Sequence, residues 1–296
     1  MVKWEIFVTV YDRRNDGFIL VAVIWISGLL ALVTTVLILQ TQSNTLLSRN
    51  NLFNTKAELI ADGLTQLLAL ELATPNNPFS AKANGETQYC AWQSSANAAY
   101  RIQDQAGLVD LNTASPQLLQ SLLSGIGLDD AAATQFYDNL VDFRDADHIS
   151  ASGGDEPILY PGKHYGPKNA PFETVDELSQ IPHLNDVQLS RLRELTTVHA
   201  QASGIDFVQA PSSLVKALGA NGILDMKLQP FTYQSPAKTF GIDVLIETNE
   251  KAHFVRHAIV ALQQQPGRPF AILAWQQGAD VAAWGATAKV TTPCFN

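Results

Sequence analysis

The sequence has few of the residues that usually mark a catalytic or metal centre. It contains only two cysteines among 296 residues, so it has no paired cysteine motif for zinc or dithiol chemistry. It also has no glycine-rich phosphate loop and no nucleophile motif of the Gly-x-Ser-x-Gly type. The sequence gives no support to a catalytic activity, and we expect a protein that is not an enzyme.

Histidine offers no metal site either. The six histidines are His148, His164, His183, His199, His253 and His257. His253 and His257 have a ligand-like spacing, but they lie in a predicted strand, where residues i and i+4 are about 13 Å apart. We expect surface positions rather than ligands.

The chain also lacks the basic surplus of most nucleic-acid-binding proteins. Its net charge is -9, and residues 108–200 hold 14 acidic and 5 basic side chains, so this segment carries the whole surplus. An acidic segment repels phosphate backbones and attracts cations. We therefore expect a hard metal ion or a basic partner, and no nucleic acid.

Charged residues are missing from a long stretch near the N-terminus, between Asp16 and Arg49. Residues 18–40 are almost entirely apolar, and a helix of this length, at about 1.5 Å per residue, crosses a bilayer. The run is too long for a secretory signal peptide and no small-residue cleavage site follows it. The basic residues before it are Lys3, Arg13 and Arg14. They predict a single-pass helix with a cytoplasmic N-terminus.

The junction before the apolar run resembles a type IV prepilin signal. In that signal a prepilin peptidase cuts after the glycine and methylates the amine of the next phenylalanine, which here are Gly17 and Phe18. The fifth mature residue is Ala22, where most pilins have a glutamate that neutralises the N-terminal amine of a neighbouring subunit. Because an unpaired buried charge is costly, a subunit without this glutamate is expected to have no subunit above it. The alternative is a plain anchor with a coincidental Gly-Phe pair.

Two cysteines, Cys90 and Cys294, follow the membrane segment. In an oxidising compartment they can form a disulfide that closes a loop of about 200 residues and stabilises the fold by several kcal/mol at most. Two buried free thiols are the alternative.

The apolar pattern divides the rest of the chain into helical and extended segments. An amphipathic stalk helix is predicted to continue to Ala73, with an apolar face formed by Leu46, Leu47, Phe53, Ile60, Leu64, Leu67 and Leu68. Strand patterns occur at 86–92 and 98–104, and again from 239 onward as a three-stranded meander. We therefore predict a small antiparallel sheet interrupted by a helical domain.

The helical part contains an internal repeat. Residues 110–122 align without a gap on residues 206–218, and each copy runs from an extended entry through a Ser/Pro pair into a helix. After the first copy, the turn at 125–127 leads into a second helix at 129–143, which is a helix-hairpin-helix pattern. Further helices are predicted from Thr174 and at 185–195.

These features together resemble the K-class minor pseudopilins of type II secretion systems. The motifs that carry the resemblance are Gly17-Phe18 without an acid at Ala22, Leu111-Asn112-Thr113-Ala114-Ser115, Phe143-Arg144-Asp145-Ala146-Asp147, and Asn169-Ala170-Pro171-Phe172 before Asp176-Glu177-Leu178. Two departures occur, at residues 207–209 of the second repeat and in the tyrosine spacing after Glu156.

The resemblance implies an α+β fold in which a pilin-like N-terminal helix packs on a small antiparallel sheet with a large inserted all-α domain of the helix-hairpin-helix/SAM-like type. The expected divisions are a leader at 1–17, a transmembrane part at 18–40, a stalk with the first strands at 41–106, the inserted domain at 107–235 and the remaining strands at 236–296. It also implies an inner-membrane anchor with a periplasmic C-terminal part. The implied partners are the I-class and J-class minor pseudopilins and the major pseudopilin, in a complex that starts and caps the pseudopilus driving export of folded proteins.

The resemblance further implies calcium binding by the inserted domain. Calcium takes six to eight oxygen ligands. The candidate ligands are Asp142, Asp145, Asp147, Asp155, Glu156 and Asn169, with Asp145, Asp147 and Glu156 preferred. Their spacing does not match an EF-hand, and a merely solvated acidic loop is the alternative.

Two other functions compete with this interpretation. An anchored helix-hairpin-helix module also resembles the membrane DNA receptor of natural competence, whose glycine turn holds a phosphate. Here Asp129 and Asp130 follow that turn and oppose phosphate binding. An anchored scaffold protein without a pilus role is the third option.

Overall fold

A computed structural model describes residues 16–74, 83–93, 95–147, 149–150, 166–219, 229–265, 267–278, 284 and 292–294. The basic leader residues and the loop at 151–165, which contains Asp155 and Glu156, lie outside the described residues. The chain forms two compact units, Met1–Thr55 and Lys56–Asn296.

Helix α1 (Asp16–Ala73) begins in the first unit, where its apolar side chains are exposed. The hydroxyls of Ser27 and Thr35 donate to the backbone oxygens of Ile24 and Ala31 at 2.9 and 2.7 Å, so these polar groups are satisfied inside the helix. Among the described residues, one helix is long and apolar enough to cross a membrane, with a mean hydropathy of 2.5. This agrees with the predicted single-pass anchor.

In the second unit, α1 buries a stripe of mostly small side chains. Ala57, Ala61, Leu64 and Leu68 are at most 1% exposed and recur at helical spacing. Leu67, which the sequence pattern placed on the packed face, is 39% exposed. The prediction for Leu67 is wrong because the alanines, which a pattern of large residues overlooks, turn the packed face toward Ala57 and Ala61.

Five strands of the second unit form an antiparallel sheet of order β1-β2-β5-β6-β7, and two shorter strands, β3 and β4, pair in parallel within the helical part. The strands are β1 (Gln88–Trp92), β2 (Ala96–Asp104), β5 (Thr239–Thr248), β6 (His253–Gln265) and β7 (Arg268–Gln277). The predicted hairpin and meander are both present, and β2 pairs directly with β5 although the helical residues separate them in sequence. The α+β fold class is therefore confirmed.

The helical insertion, which we define as residues 107–235, contains short helices around its own core. Its described elements are β3 (Val109–Asp110), α2 (Pro116–Gly125), α3 (Asp130–Arg144), a 3₁₀ helix (Val175–Gln180), α4 (Asp186–Leu195), β4 (Thr196–Thr197), α5 (Ser212–Ala217) and a short 3₁₀ helix (Gln229–Phe231). Side-chain caps start three of the helices: Ser115, Asp129 and Asn185 accept from backbone amides three residues later.

The two repeats have matching loop geometry. Asp110 Oδ1 accepts from the amide of Asn112 at 2.8 Å, and Asp206 Oδ1 accepts from the amide of Val208 at 2.9 Å. The second carboxylate oxygen of each aspartate accepts a hydrogen bond from a backbone amide in a more distant loop. The donor is Gln201 for Asp110 and Ser235 for Asp206. The repeat seen in the sequence is therefore a structural repeat.

The C-terminal tail closes one edge of the sheet. Cys90 and Cys294 form a disulfide with 4.7 Å between their Cα atoms, and the amide of Ala91 donates to the carbonyl of Thr292 at 2.8 Å. Trp284 is buried against the sheet, with the Arg101 guanidinium 4.2 Å from the centre of its ring. Of the two alternatives for the cysteines, the structure contains the disulfide.

Candidate functional site

The C-terminal end of α3 brings together three of the predicted calcium ligands. Asp142 lies in the last turn and is 1% exposed, and its Oδ2 accepts from the hydroxyl of Ser150 at 3.0 Å. Asp145 is the C-cap residue of α3. Asp147 Oδ1 accepts from the amide of Ile149 at 2.8 Å. Three carboxylates thus belong to residues in or just after the last turn of α3, whose terminal carbonyls are already partly negative.

Electrostatic repulsion in this cluster is visible at Asp145. Burial raises the pKa of the Asp145 carboxyl, and the charges of Asp147 and Asp142 raise it further, while Arg144 lowers it. Its Oδ1 atom is buried and has no hydrogen-bond partner in the described part of the chain. A carboxylate oxygen in this condition is suited to a cation ligand.

The sequence-based selection missed Asp138, which lies one turn before Asp142 on α3. Burial raises the pKa of Asp138, and the charge of Asp142 raises it further. The i, i+4 spacing of two acids on a helix is the signal that could have found it, because like charges at that spacing repel each other.

Asn169 connects the far side of the loop to the cluster. Its amide donates to the Phe143 carbonyl at 2.9 Å, and its Nδ2 donates to the Asp147 carbonyl at 3.0 Å. Its φ of 53° lies in the left-handed region that asparagine tolerates better than most residues. The predicted ligand Asn169 is therefore beside Asp147.

A second asparagine fixes the segment that follows. Asn112 Nδ2 donates to the carbonyl of Phe172 at 2.9 Å, and Asn112 Oδ1 accepts from the Phe172 amide at 2.8 Å. The ring of Phe172 stacks on Phe143 with 4.9 Å between centroids. These contacts attach the end of the 144–172 loop to both the first repeat and α3.

A basic side chain next to Asp145, Arg144, is directed away from the carboxylates. Arg144 Nη1 donates to the carbonyl of Leu111. Burial lowers the pKa of Arg144, and the charges of Tyr137, Asp110 and Asp145 raise it. Arg144 therefore holds the loop of the first repeat and offsets only part of the carboxylate charge.

The described residues fit a calcium site in part. They bring oxygen donors of the type calcium prefers to one helix end, with a buried oxygen of Asp145 unpaired. Among the described residues, however, no group of three or more His, Cys, Asp or Glu side chains is close enough to hold a metal ion. A calcium ion at this helix end would need further oxygens, from amide or carbonyl groups or from the predicted ligands Asp155 and Glu156, which lie outside the described residues.

The turn that resembles a phosphate-binding hairpin is used for packing. The amides of Ile126, Gly127 and Leu128 donate to carbonyls of α2 at 3.0 to 3.2 Å. A Cβ atom on Gly125 would lie 1.9 Å from the Ala217 carbonyl oxygen, so this glycine lets α2 approach α5. Because these amides already donate to carbonyls and the Asp129 carboxylate lies beside them, the turn is poorly suited to bind a DNA phosphate.

Comparisons with known proteins agree with this architecture. Residues 93–201 match the family of the type II secretion system (T2SS), protein K. The predicted resemblance to protein K is confirmed. The matched range contains β2, the first repeat and the acidic cluster up to Asn169.

The fold is also similar to that of a chain in the crystal structure of the GspK-GspI-GspJ complex from the type 2 secretion system of enterotoxigenic Escherichia coli. The TM-score is 0.59 at 16% identity, and the match covers 81% of this chain and 100% of that chain. No curated protein sequence matches the chain.

Proposed function

We infer that this chain is a K-class minor pseudopilin that joins I-class and J-class partners, starts assembly of the pseudopilus and caps its tip. The match of residues 93–201 to protein K carries this proposal. The large helical insertion supports a position at the tip, because a bulky domain is tolerated at the end of a fibre more easily than along it. Ala22 supports the same position, because it leaves no carboxylate for a subunit above.

The outer surface of α1 suggests where a partner helix packs. Within the second unit, Leu59, Leu67 and Leu70 are 66%, 39% and 46% exposed and lie on the side of α1 opposite Ala61. Gly63 lies between them, and a Cβ atom there would lie 3.9 Å from the Trp92 ring of β1. An apolar stripe of this kind fits the apolar face of a neighbouring pseudopilin helix.

Complementation of a secretion-negative strain tests the assembly role. In a strain without the K-class protein, exoproteins accumulate in the periplasm, and the wild-type chain restores their export. Leu59→Asp with Leu70→Asp is expected to fail while the protein remains folded and membrane-bound. The matched control is Leu46→Asp, which changes an exposed leucine on α1 in the first unit. Full export by the double variant would contradict this interface.

Processing at Gly17 and Phe18 is part of the proposal. The prepilin peptidase is expected to cut after Gly17 and to methylate Phe18, leaving the apolar helix as an inner-membrane anchor. Intact mass of the chain from strains with and without the peptidase tests this. An unprocessed chain beginning at Met1 in both strains would contradict a pilin-type maturation.

Calcium binding at the end of α3 is the third part of the proposal. The ligands are Asp142, Asp145 and Asp147 with Asn169, completed by Asp155 and Glu156. The bound ion supplies positive charge where the carboxylates repel one another, which fixes the loop after α3. The role is structural, and we propose no catalytic activity.

A further inference from the structure

One edge of the five-stranded sheet is covered by the chain itself. β1 forms this edge, and its Ala91 amide donates to the Thr292 carbonyl at 2.8 Å. The amide of Cys294 donates to the Ala91 carbonyl at 3.1 Å, and the disulfide to Cys90 holds the tail in place. Because an open edge offers unpaired backbone groups to other chains, this cover prevents pairing at β1.

The opposite edge is β7, and no strand in the described part of the chain lies beyond it. The described residues of the tail lead away from β7. Trp284 packs in a cluster with Ala99 and Leu245 of the inner strands, and residues 292–294 lie at β1. The tail therefore protects one edge of the sheet, and its described residues leave the other edge open.

The hydrogen-bond pattern identifies backbone groups of β7 that face this open side. The amide of Gly278 donates to the Val255 carbonyl at 2.9 Å, so residue 278 is bonded toward β6. The following pairs, from Arg256 with Gln277 to Ile259 with Ala274, stay in register. Bonded and non-bonded pairs alternate along an antiparallel ladder. The backbone groups of Gln277 and Trp275 therefore point away from β6.

The side chains of β7 add an apolar surface to this edge. Ile272 and Leu273 are 47% and 51% exposed, and Arg268 is the only charged residue of the strand. Proteins usually protect edge strands by charge, proline, bulges or short length. β7 has Pro269 at its start and a register shift opposite Ile259/Val260, but it is ten residues long and keeps residues 274–277 in regular register.

The size of the edge limits which protein can bind there. Ten residues are about half of the roughly 20–30 residues that each side of a stable interface usually contributes. A soluble protein that pairs with β7 alone would therefore bind weakly. A protein anchored in the same membrane is held nearby, and its high effective concentration compensates for the small contact area.

Charge argues against a second copy of this chain as the occupant. Leu273 lines a cleft of about 340 Å³ whose other lining residues include His199 and Tyr233, so the helical insertion lies close to β7. Residues 108–200 of the insertion hold 14 acidic and 5 basic side chains. Pairing two copies at β7 would bring two acidic insertions toward each other, and their charges would repel.

We propose that β7 is a strand-addition site for an extended, mostly uncharged segment of a neighbouring pseudopilin in the same membrane. The backbone of that segment bonds to the outward groups of Trp275 and Gln277, and its side chains cover Ile272 and Leu273. This inference rests on the proposed function. It adds a contact surface separate from the stripe of α1, which lies on the side of that helix away from the sheet.

Site-specific photocrosslinking in membranes tests this surface. A photoreactive phenylalanine analogue replaces Ile272 in the full chain, which is co-expressed with I-class and J-class proteins and the prepilin peptidase. Irradiation is expected to give a crosslink to one of these two partners, identified by mass spectrometry. The control carries the analogue at Val187, an exposed apolar residue of α4, and is expected to give several-fold less product.

A substitution of the backbone donor tests pairing by hydrogen bonds. Gln277→Pro removes an outward amide without removing a bond to β6, and we expect it to reduce the crosslink from position 272 several-fold. Gln277→Ala keeps the amide and is expected to crosslink like the wild type. If Gln277→Pro does not fold, Leu273→Lys, which places a charge at the edge, is expected to have the same effect. Equal crosslinking of the folded edge variant and Gln277→Ala would overturn the proposal.

The possible results separate this inference from the proposed function. If native mass spectrometry shows the complex of the three proteins but position 272 crosslinks to neither partner, strand addition at β7 is overturned and the proposed function stands. A crosslink between two copies of this chain would also overturn the inference. If no complex with either partner forms, the proposed function fails and the inference fails with it.

Discussion

Arg256 of β6 donates from Nε to the Asp62 carboxylate of α1 at 2.6 Å. The same guanidinium donates to Glu58 at 3.2 Å and lies about 5 Å from the ring centres of Phe254 and Trp275. Its side chain is 7% exposed, so it is an almost buried cation with two carboxylate partners. It fixes the rotation of α1 on the sheet within the second unit.

Replacing Arg256 with Gln should destabilise the chain. Two carboxylates on one face of α1 would then repel each other without a counterion, although their own partial exposure to water reduces the penalty. We expect a loss of about 2 kcal/mol in the free energy of unfolding, measured by thermal unfolding in micelles. Lys251→Gln, which removes an exposed partner of Glu247, should change the same quantity by less than about 0.5 kcal/mol. Equal effects of the two substitutions would refute the special role of Arg256.

Gly125→Ala should separate α2 from α5. The added Cβ atom would lie 1.9 Å from the carbonyl oxygen of Ala217, which is backbone and cannot move without shifting α5. We expect a loss of about 3 kcal/mol. Gly166→Ala is the control, because nothing lies within 4 Å of its added Cβ atom. A stable Gly125→Ala variant would show that the two repeats do not pack as described.

Reduction of the Cys90–Cys294 disulfide should lower stability by about 3 kcal/mol, because it joins residues 204 apart in sequence and restrains the unfolded chain. Thermal unfolding with and without a reducing agent measures this. The double variant Cys90→Ser with Cys294→Ser should unfold at the same temperature in both conditions. If the unfolding temperature of the wild type is also the same with and without the reducing agent, the disulfide does not stabilise the fold.

Asp145→Asn should have opposite effects with and without calcium. Burial, and then the charges of Asp147 and Asp142, raise the pKa of Asp145. Without the ion, the substitution removes a charge that is both buried and repelled, so the melting temperature should rise. With calcium, the variant should bind more weakly, and the increase in melting temperature caused by the ion should shrink. Asp130→Asn at the other end of α3 should leave that increase unchanged. A wild-type chain with no calorimetric response to calcium would rule out the site.

Local signals in the sequence were enough to predict most of the helices and strands. Asp129 and Asn185 cap helices at the expected positions because an N-cap depends on a few neighbouring residues. The segment after Thr174 is a 3₁₀ helix, not a longer α-helix, because the approach to Pro182 disfavours further α-helical turns.

Contacts distant in the sequence could not be predicted in the same way. The register of Asp104 opposite Phe240 spans the whole helical insertion, and no local pattern specifies it. The pairing of Arg256 with Asp62 also depends on the finished packing. The acidic cluster could be predicted from the sequence in part, and Asp138 could have been included from its i, i+4 spacing to Asp142 on the predicted helix.

Native mass spectrometry of the processed chain co-expressed with I-class and J-class partners tests the proposed assembly most directly. We predict a complex containing one copy of each of the three proteins, which is lost in the Leu59→Asp, Leu70→Asp variant and kept in the Leu46→Asp control. A processed, folded chain that remains alone in the presence of both partners would contradict the proposed role at the pseudopilus tip.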